Sequence, residues 1–340
     1  MTTTKSHNRN NENLSQDTRP LPCQKAFPPL FLSDVTLREH GQNVGENDLS
    51  EFTVKSRIKT AEALIEAGFK RLELLSCVSP KVAPAMAPRL IESVAHGVGR
   101  PPGVEIVTLV ANMKGLNTFF DIGLGPNDLN HTVGLFYSAV ESHNMANLKK
   151  SIGKTRRTYK QIIDMIHAKG SSFVGYVTAA FGFRASTNSR IESVELESLK
   201  ETVRWWFDLG AKTVTLSDLQ GLSTPTQIHE VFSSLMGELN ERDDVSQKGS
   251  VCIGFHPHHT DTSKALELIE QAYSAGIRLF DSSMNSLGGC VTGGPGNVST
   301  QKVVSFFEHK GESTGIDLSK LDKAEKQINS RTDDWPVRIR

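Results

Sequence analysis

Eight β-rich runs, each followed by an amphipathic helical run, are the feature that most constrains how this 340-residue chain can fold. This regular alternation is typical of parallel strands joined by crossover helices. The predicted strands are residues 31–39, 71–77, 104–112, 131–139, 172–180, 213–221, 250–258 and 278–285. Helical runs lie between them, for example residues 53–68, 154–170 and 263–276, and each of these three ends on a glycine, a residue that commonly terminates a helix.

Eight such pairs favour an α/β fold of the TIM (β/α)8 barrel type over an open doubly wound sheet. No GxGxxG motif follows the first strand, which weakens a dinucleotide-binding alternative. We expect a disordered N-terminal tail over residues 1–28, because it is polar and has little to bury. The barrel is expected over residues 29–311. A C-terminal extension over residues 312–340 contains a short helical segment and Trp335, which we expect on the outside of the barrel.

The charge balance points to a small-molecule partner. The chain has 38 Lys and Arg against 38 Asp and Glu, so it lacks the strong field that would attract nucleic acid or an anionic membrane. No apolar run is long enough for a membrane span, and the start MTTTKSHNRN lacks a secretory core. We therefore expect a cytoplasmic protein, with an organelle presequence as the weaker alternative. Four cysteines without a CxxC pair argue against a disulfide scaffold or a structural zinc site.

Polar side chains cluster where the predicted strands end. In a TIM barrel this face carries the active site. The side chains are Asp34, Arg38, Glu39, Glu73, Ser76, Asn112, Thr178, Ser217, Asp218, His256, His258, His259, Asp281, Ser283 and Asn285. A barrel that served only as a scaffold would have little reason to place so many carboxylates and imidazoles there.

A divalent metal site is the main chemical hypothesis. His256 and His258 are two residues apart at the end of a strand, so both imidazoles can point to the same side. Glu39, at another strand end, can complete a set of two histidines and one carboxylate, and Asn297 could add a carbonyl oxygen. Mg²⁺ or Mn²⁺ fits such an open, oxygen-rich site best, and Zn²⁺ or Co²⁺ is also compatible. Ordinary packing or surface histidines are the alternative.

Two further residues could take part in catalysis. Arg38 could stabilise an enolate or a carboxylate beside the metal, although a solvated ion pair with Glu39 is the plain alternative. Cys290 lies in the glycine-rich segment SLGGCVTGGPGN, which could form a lid that brings the thiol over the site, or could be a simple linker. Cys77 and Cys252 are expected in the core, and Cys23 belongs to the tail.

The motif DVTLREHGQN at residues 34–43 resembles the signature of the DRE-TIM metallolyase family, and within it the similarity is closest to the 3-hydroxy-3-methylglutaryl-CoA lyases. The resemblance covers roughly residues 30–322. It rests on further segments in the same order: SCVSPKVAPAM, GYVTAAFG, SDLQGLSTP, DSSMNSLGGC, GN at 296–297 and TGIDLSKL. VSPK and the GGC loop are its specific parts, because the related synthases and aldolases do not share them.

The resemblance implies roles for individual residues. Glu39, His256, His258 and Asn297 would be metal ligands. Arg38 would be the enolate-stabilising cation, Cys290 the lid-borne thiol and Glu73 a supporting acid. The implied reaction is a metal-dependent retro-Claisen cleavage of 3-hydroxy-3-methylglutaryl-CoA, or of a related 3-hydroxy acyl-CoA, to acetyl-CoA and acetoacetate. His256 or a ligand-linked water would remove the hydroxyl proton, and a group near Cys290 would protonate the enolate. This reaction belongs to leucine catabolism.

Three positions depart from the lyase pattern. Glu39 stands where the lyases usually have Asp, His259 stands where they have Asp, and the loop from Cys290 to Asn297 is two residues shorter. An aldolase of 4-hydroxy-2-oxo acids or a Claisen-type synthase is therefore the alternative function, and a non-catalytic binding barrel is a third. The short C-terminal extension disfavours a synthase with regulatory domains. A homodimer is also compatible with this fold.

Overall fold

The computed structural model describes residues 30–50, 52–185, 190–240, 252–289 and 294–322. Eight parallel strands in these ranges form one closed barrel in the order β1 to β8, so the predicted TIM barrel is confirmed. The strands are β1 Phe31–Asp34, β2 Arg71–Cys77, β3 Glu105–Val110, β4 Thr132–Ser138, β5 Phe173–Thr178, β6 Thr213–Asp218, β7 Cys252–Pro257 and β8 Leu279–Ser282. The barrel closes where β1 pairs with β8.

Ten α-helices with both ends in the described residues surround the barrel, and the start of another is described below. They are α1 Thr36–Asn43, α2 Val54–Glu66, α3 Pro88–Val98, α4 Met113–Asp121, α5 Glu141–Leu148, α6 Ile152–Ala168, α7 Leu196–Asp208, α8 Pro225–Asn240, α9 Thr262–Ser274 and α10 Thr300–His309. The predicted terminating glycines Gly68, Gly170 and Gly276 follow α2, α6 and α9 with φ of 114°, 71° and 101°. Glycine adopts this left-handed conformation without the steric cost of a side chain. None of these helices is both long and apolar enough to cross a membrane.

The first predicted strand was too long. β1 ends at Asp34, and α1 begins at Thr36 within the run that was expected to continue as strand. The cause is local, because the Asp34 carboxylate accepts hydrogen bonds from the Thr36 backbone N–H (3.0 Å) and from the Thr36 hydroxyl (2.8 Å). This side-chain bridge replaces the strand ladder with a turn. Arg38 and Glu39 therefore lie on a short helix above the barrel.

The termini lie largely outside the described residues. Residues 1–28, which we predicted to be disordered, are not among them, and neither is Trp335. The predicted C-terminal helix begins after Asp317, whose carboxylate accepts the Ser319 backbone N–H at 2.9 Å, and can be followed to Asp322. The two boundaries between the three predicted regions remain predictions.

Trp206 of α7 is one of the largest fully buried side chains between the barrel and the helices. This side chain is fully buried, and its ring lies 5.2 Å from Tyr137 and 6.2 Å from Phe173, measured between ring centroids. Gly175 of β5 lets the indole approach the strand, because a Cβ atom there would lie 2.6 Å from Trp206 Cδ2. Close packing of this kind leaves no room for an added methyl group.

We therefore predict that Gly175→Ala lowers the free energy of unfolding by about 1–3 kcal/mol, measured by urea denaturation. Gly237→Ala is the matched control. A Cβ atom at Gly237, within α8, meets no atom within 4 Å, and alanine is the better helix former by about 1 kcal/mol. Equal effects of the two substitutions would contradict the packing argument.

Candidate active site

A buried arginine organises the site at the carboxyl ends of the strands. Arg38 of α1 donates from Nη1 to the Glu39 carboxylate and from Nε to Glu73 Oε2 at 2.7 Å, and its Nη2 also contacts Glu73. The Tyr176 hydroxyl donates to the other oxygen of Glu73. Burial lowers the pKa of Arg38, but the two glutamates raise it more, so the guanidinium stays charged.

Glu73 thus accepts hydrogen bonds from both the Arg38 guanidinium and the Tyr176 hydroxyl. Burial, and then the charge of Glu73, raise the pKa of Tyr176 well above its ordinary value, so Tyr176 keeps its proton and donates it. The sequence had placed Glu73 in the site, and the structure puts it in direct contact with Arg38. Tyr176 was missed. The available signal was its position in β5 two residues before Thr178, which puts both side chains on the same side of the strand.

The two predicted histidines converge, as their spacing indicated. His256 and His258 approach each other through their Nε2 atoms at 2.8 Å. The Nδ1 atom of His256 is hydrogen-bonded to Asp281 Oδ2 at 3.0 Å, and that of His258 to the Pro295 carbonyl at 3.1 Å. Both partners can only accept, so we assign a proton to each Nδ1 and leave both Nε2 atoms with a lone pair.

Two facing lone pairs repel unless a positive charge lies between them. Burial lowers the pKa of His256, but the hydrogen bond and charge of Asp281 raise it more. Burial, helped by the charge of His256, lowers the pKa of His258 to about 3. A shared proton or a metal cation between the Nε2 atoms resolves this conflict.

Asn297 reaches the same place from the loop after β8. It forms an antiparallel bridge with His258. Its Nδ2 donates to the Leu287 carbonyl at 2.9 Å, while its buried Oδ1 has no hydrogen-bond partner in the described parts of the chain. An unpartnered buried amide oxygen is costly and is the kind of donor atom that a hard cation uses.

Cys290 lies outside the described residues, so its predicted place over the site is untested. The loop segments on either side of it are held close to the site. Gly289 pairs with Gly296, and Asn43 donates from Nδ2 to the carbonyls of Glu39 (2.8 Å) and Gly289 (3.0 Å). Cys77 and Cys252 are buried, as predicted. Burial raises the pKa of Cys77 to about 12, so this thiol keeps its proton and does not form the reactive thiolate near neutral pH.

These residues open onto a cavity of about 310 Å³. One part of its wall is the site itself, formed by Arg38, Glu39, Tyr176, His256, His258 and Gly289. The rest presents mainly apolar surface, with side chains such as Leu109, Phe136 and Leu148, and Lys150, between α5 and α6, also lines it. A largely apolar cavity with a few convergent polar groups is typical of a small-molecule site.

The donor set fits a divalent cation, although it is not preassembled. No group of three or more His, Cys, Asp or Glu side chains in the described ranges has the arrangement of a ready metal site. The reason is that Glu39 is paired with Arg38, while the histidines contact each other. The carboxylates of Asp281 and Glu39 also lie close enough to the histidine pair to favour positive charge there. A divalent cation would supply such charge.

Comparison with known proteins agrees with this geometry. The HMGL-like family model matches residues 30–328. The chain belongs to the HMGL-like family. This confirms the resemblance to the DRE-TIM metallolyases, a family whose members are in general metal-dependent.

The chain is also similar to individual lyases. It is 28% identical to the hydroxymethylglutaryl-CoA lyase YngG of Bacillus subtilis over 300 residues, which cover 87% of this chain and 93% of the relative. The crystal structure of the Bacillus subtilis HMG-CoA lyase superposes with a TM-score of 0.75 at 27% identity, covering 94% of this chain and 98% of that one. An HMG-CoA lyase from Acinetobacter baumannii, solved with coenzyme A and 3-methylmalate, gives 0.72 at 25% identity and covers 91% and 97%.

We predict that Asp281→Asn lowers the affinity for Mn²⁺ about 10- to 100-fold, as is typical when the partner of a ligating histidine is removed. The amide can present its N–H to His256 Nδ1 and so stabilise the wrong tautomer. Isothermal titration calorimetry with the full chain measures the effect. Asp261→Asn is the control, because the Asp261 side chain caps α9 by accepting the backbone N–H groups of Ser263 and Lys264. An unchanged affinity in Asp281→Asn would show that His256 does not bind the metal through Nε2.

Proposed function

We propose that this protein is a divalent-metal-dependent carbon–carbon lyase that cleaves 3-hydroxy-3-methylglutaryl-CoA, or a related 3-hydroxy acyl-CoA, to acetyl-CoA and acetoacetate. The observation that carries the proposal is the convergence of His256 and His258 with a buried arginine–glutamate pair in one cavity of a chain of the HMGL-like family. The relatives named above carry this activity in their names.

The proposed metal ligands are Glu39, His256, His258 and Asn297. When bound, the metal would act as a Lewis acid that lowers the pKa of the substrate's tertiary hydroxyl. Mg²⁺ or Mn²⁺ is our first choice because two of the four ligands supply oxygen. Binding would require Glu39 to loosen its contact with Arg38 and the imidazoles to separate.

Arg38 is the proposed electrostatic catalyst. Retro-Claisen cleavage leaves negative charge on the thioester oxygen as the enolate forms, and a fixed guanidinium stabilises such charge in a site shielded from water. Glu73 holds Arg38 in place through two contacts and is itself held by Tyr176. We therefore assign Glu73 to the orientation of Arg38 rather than to proton transfer.

Proton removal from the hydroxyl needs a separate group once the metal is bound. The sequence pointed to His256 or a water. His256 Nε2 has one lone pair, so it cannot bind the metal and accept a proton at the same time. In the loaded site a water held by the polar residues would therefore act as the base. The sequence pointed to a group near Cys290 for enolate protonation, and we propose the Cys290 thiol itself, since it follows Gly289, which lines the cavity.

An acyl-CoA is the proposed small-molecule partner. Coenzyme A is bound in one of the similar lyase structures, and the cavity here suits the acyl group and the adjoining thioester. A cytoplasmic location and a homodimer remain predictions.

The aldolase alternative loses its main support in the structure. It rested on His259, but the Nδ1 of His259 accepts the Asp261 backbone N–H at 2.8 Å. His259 is not among the residues that line the cavity. Its role is therefore to shape the turn before α9, which leaves the proposed lyase as the better explanation of the site.

The central prediction is that purified protein releases acetoacetate from 3-hydroxy-3-methylglutaryl-CoA with Mg²⁺ or Mn²⁺ and that a chelator stops the reaction. A coupled assay for acetoacetate measures it. No release by protein that still binds metal would refute this substrate and leave other hydroxy acyl thioesters to be tried.

We predict that His258→Ala abolishes stoichiometric metal binding, because one of only two imidazole donors is lost. Metal content after dialysis against Mn²⁺ measures this. His229→Ala, on α8 and outside the cavity, should retain the parent's metal content. A His258→Ala protein that keeps one bound metal per chain would remove His258 from the ligand set.

We predict that Cys290→Ala binds metal normally but turns over about 10²- to 10⁴-fold more slowly, the usual contribution of a positioned acid or base. Steady-state kinetics and metal content measure the two effects separately. Cys23→Ala, in the N-terminal segment, is the control for loss of a thiol. A parent-like rate in Cys290→Ala would mean that the thiol takes no part in turnover and that the loop is a simple linker.

A further inference from the structure

Asp34, the last residue of β1, is a buried carboxylate that the proposed mechanism does not use. It is 1% exposed, and its side chain accepts the Thr36 backbone N–H at 3.0 Å and the Thr36 hydroxyl at 2.8 Å. Both contacts lie at the first residue of α1, the helix that carries Arg38 and Glu39. A carboxylate taken out of water is costly even when it accepts two hydrogen bonds, so its presence here calls for an explanation.

Helix capping alone does not explain a charged group at this position. In the same barrel, the helices α2, α4 and α6 are capped by the side chains of Thr53, Asn112 and Ser151, which accept backbone N–H groups without carrying a charge. The aspartate that caps α9, Asp261, is exposed to solvent. A neutral side chain would therefore suffice to hold the start of α1, which leaves the charge of Asp34 to be explained.

The surroundings of Asp34 disfavour its negative charge. Burial is the main cause that raises the pKa of Asp34 to about 7; the hydrogen bonds from Thr36 oppose this rise, and the charges of Glu73 on β2 and Asp281 on β8 add to it. The cation of this region, Arg38 on α1, is already paired with two glutamates. Asp34 therefore exchanges its proton near neutral pH.

The charge of Asp34 fixes the direction of a hydrogen bond at the start of α1. An ionised carboxylate can only accept, so the single hydroxyl proton of Thr36 points to Asp34. The lone pairs of Thr36 Oγ1 then accept the Met284 backbone N–H at 2.8 Å, which ties α1 to the segment after β8. A proton on Asp34 would let the carboxyl group donate to Thr36 Oγ1 and compete with that N–H.

The same hydrogen bonds continue into the loop after β8. Ser283 lies 3.3 Å from Thr36 Oγ1 and donates its hydroxyl proton to the Leu287 carbonyl at 2.7 Å. That carbonyl also accepts Asn297 Nδ2 at 2.9 Å, which leaves Asn297 Oδ1 without another partner in the described residues. Protonation of Asp34 would turn the Thr36 hydroxyl toward Ser283, so a change at one carboxyl group reaches both α1 and this loop.

We propose that Asp34 is a positioning residue that places the start of α1 and the loop after β8 correctly only while its carboxylate is ionised. Arg38 and Glu39 follow the first of these segments, and Asn297 lies in the second. The inference rests on the proposed function, because that function assigns the roles of these three residues. Asp34 itself is assigned no contact with substrate or metal and acts through Thr36.

The proposal predicts that the site is correctly placed by a charge that weakens the fold. Because the pKa of Asp34 rises from 3.8 to about 7 on folding, the folded state binds this proton more tightly, and stability is lost as the pH rises from about 4 to about 7. Asp34→Asn removes this cost, and its amide N–H donates to Thr36 as a protonated carboxyl group would. Relative to the parent, its urea midpoint should therefore rise between about pH 5 and about pH 8.

The test compares Asp34→Asn with the parent as full chains. Calorimetry at about pH 8 should show about tenfold weaker Mn²⁺ binding, as is typical when the support of a metal ligand is lost, and turnover of 3-hydroxy-3-methylglutaryl-CoA should fall with it. Urea unfolding in the presence of a chelator, at about pH 5 and about pH 8, measures the stability effect. A purely structural role of Asp34 would not produce this pH dependence.

Matched variants separate the network from the charge alone. Asp317→Asn is the control, because Asp317 accepts the backbone N–H and the hydroxyl of Ser319 in the same kind of turn but is exposed. It should leave Mn²⁺ affinity unchanged. Thr36→Val breaks the link from the other side and should weaken Mn²⁺ binding as Asp34→Asn does, so it also serves if Asp34→Asn does not fold. Thr36→Ser keeps the hydroxyl and should bind Mn²⁺ like the parent.

Two results would overturn the proposal. One is a parent-like Mn²⁺ affinity in both Asp34→Asn and Thr36→Val. The other is an Asp34→Asn protein whose urea midpoint differs from that of the parent by the same amount at both pH values, which would make Asp34 an ordinary structural residue. Failure of the proposed function looks different, because a parent without chelator-sensitive acetoacetate release would still show the Mn²⁺ and urea effects of these variants.

Discussion

The buried guanidinium of Arg38 is the interaction on which the site depends. An arginine taken out of water is stable only if its charge is compensated, and Glu39 and Glu73 supply that compensation from α1 and β2. Removing either glutamate would leave a buried charge partly unpaired, and removing Glu73 would also cut one contact between α1 and β2. Because Tyr176 joins the same cluster from β5, one cation fixes the relative positions of three elements around the cavity.

A second network closes the barrel beneath that cluster. The Thr36 hydroxyl donates to Asp34 and accepts the Met284 backbone N–H at 2.8 Å, which connects the start of α1 to the end of β8. Ser283 continues the link, since its hydroxyl donates to the Leu287 carbonyl at 2.7 Å, the same oxygen that accepts from Asn297. The ends of the first and last strands thus set the positions of Glu39 and Asn297 jointly. Burial raises the pKa of Asp34 to about 7, so the charge of its carboxyl group changes with pH near neutrality.

Periodicity predicted the barrel well, because buried parallel strands and amphipathic helices each leave a strong pattern. β2 was predicted residue for residue. The end of β1 was not, because Val35, Thr36 and Leu37 favour a strand by composition, whereas the turn depends on where one aspartate side chain bonds. Of the site, the histidine pair followed from alternation along a strand, and Thr178 and Ser217 were expected there as polar residues at strand ends. Tyr176 was missed because its contact with Glu73 across the barrel depends on tertiary neighbours, although its alternation with Thr178 was visible in the sequence.

Composition alone does not show what the glycines of the glycine-rich loop do. Many glycines suggested a flexible lid, yet the described part of the loop uses at least one glycine for close approach. Gly288 has a φ of 81°, and a Cβ atom there would lie 2.4 Å from the Cβ of Glu39. A side chain at position 288 would push this loop away from α1. Gly289, whose carbonyl accepts a hydrogen bond from Asn43, would move with it. Gly288 and Gly289, the two glycines before Cys290, therefore bring the loop against the helix that carries Arg38 and Glu39.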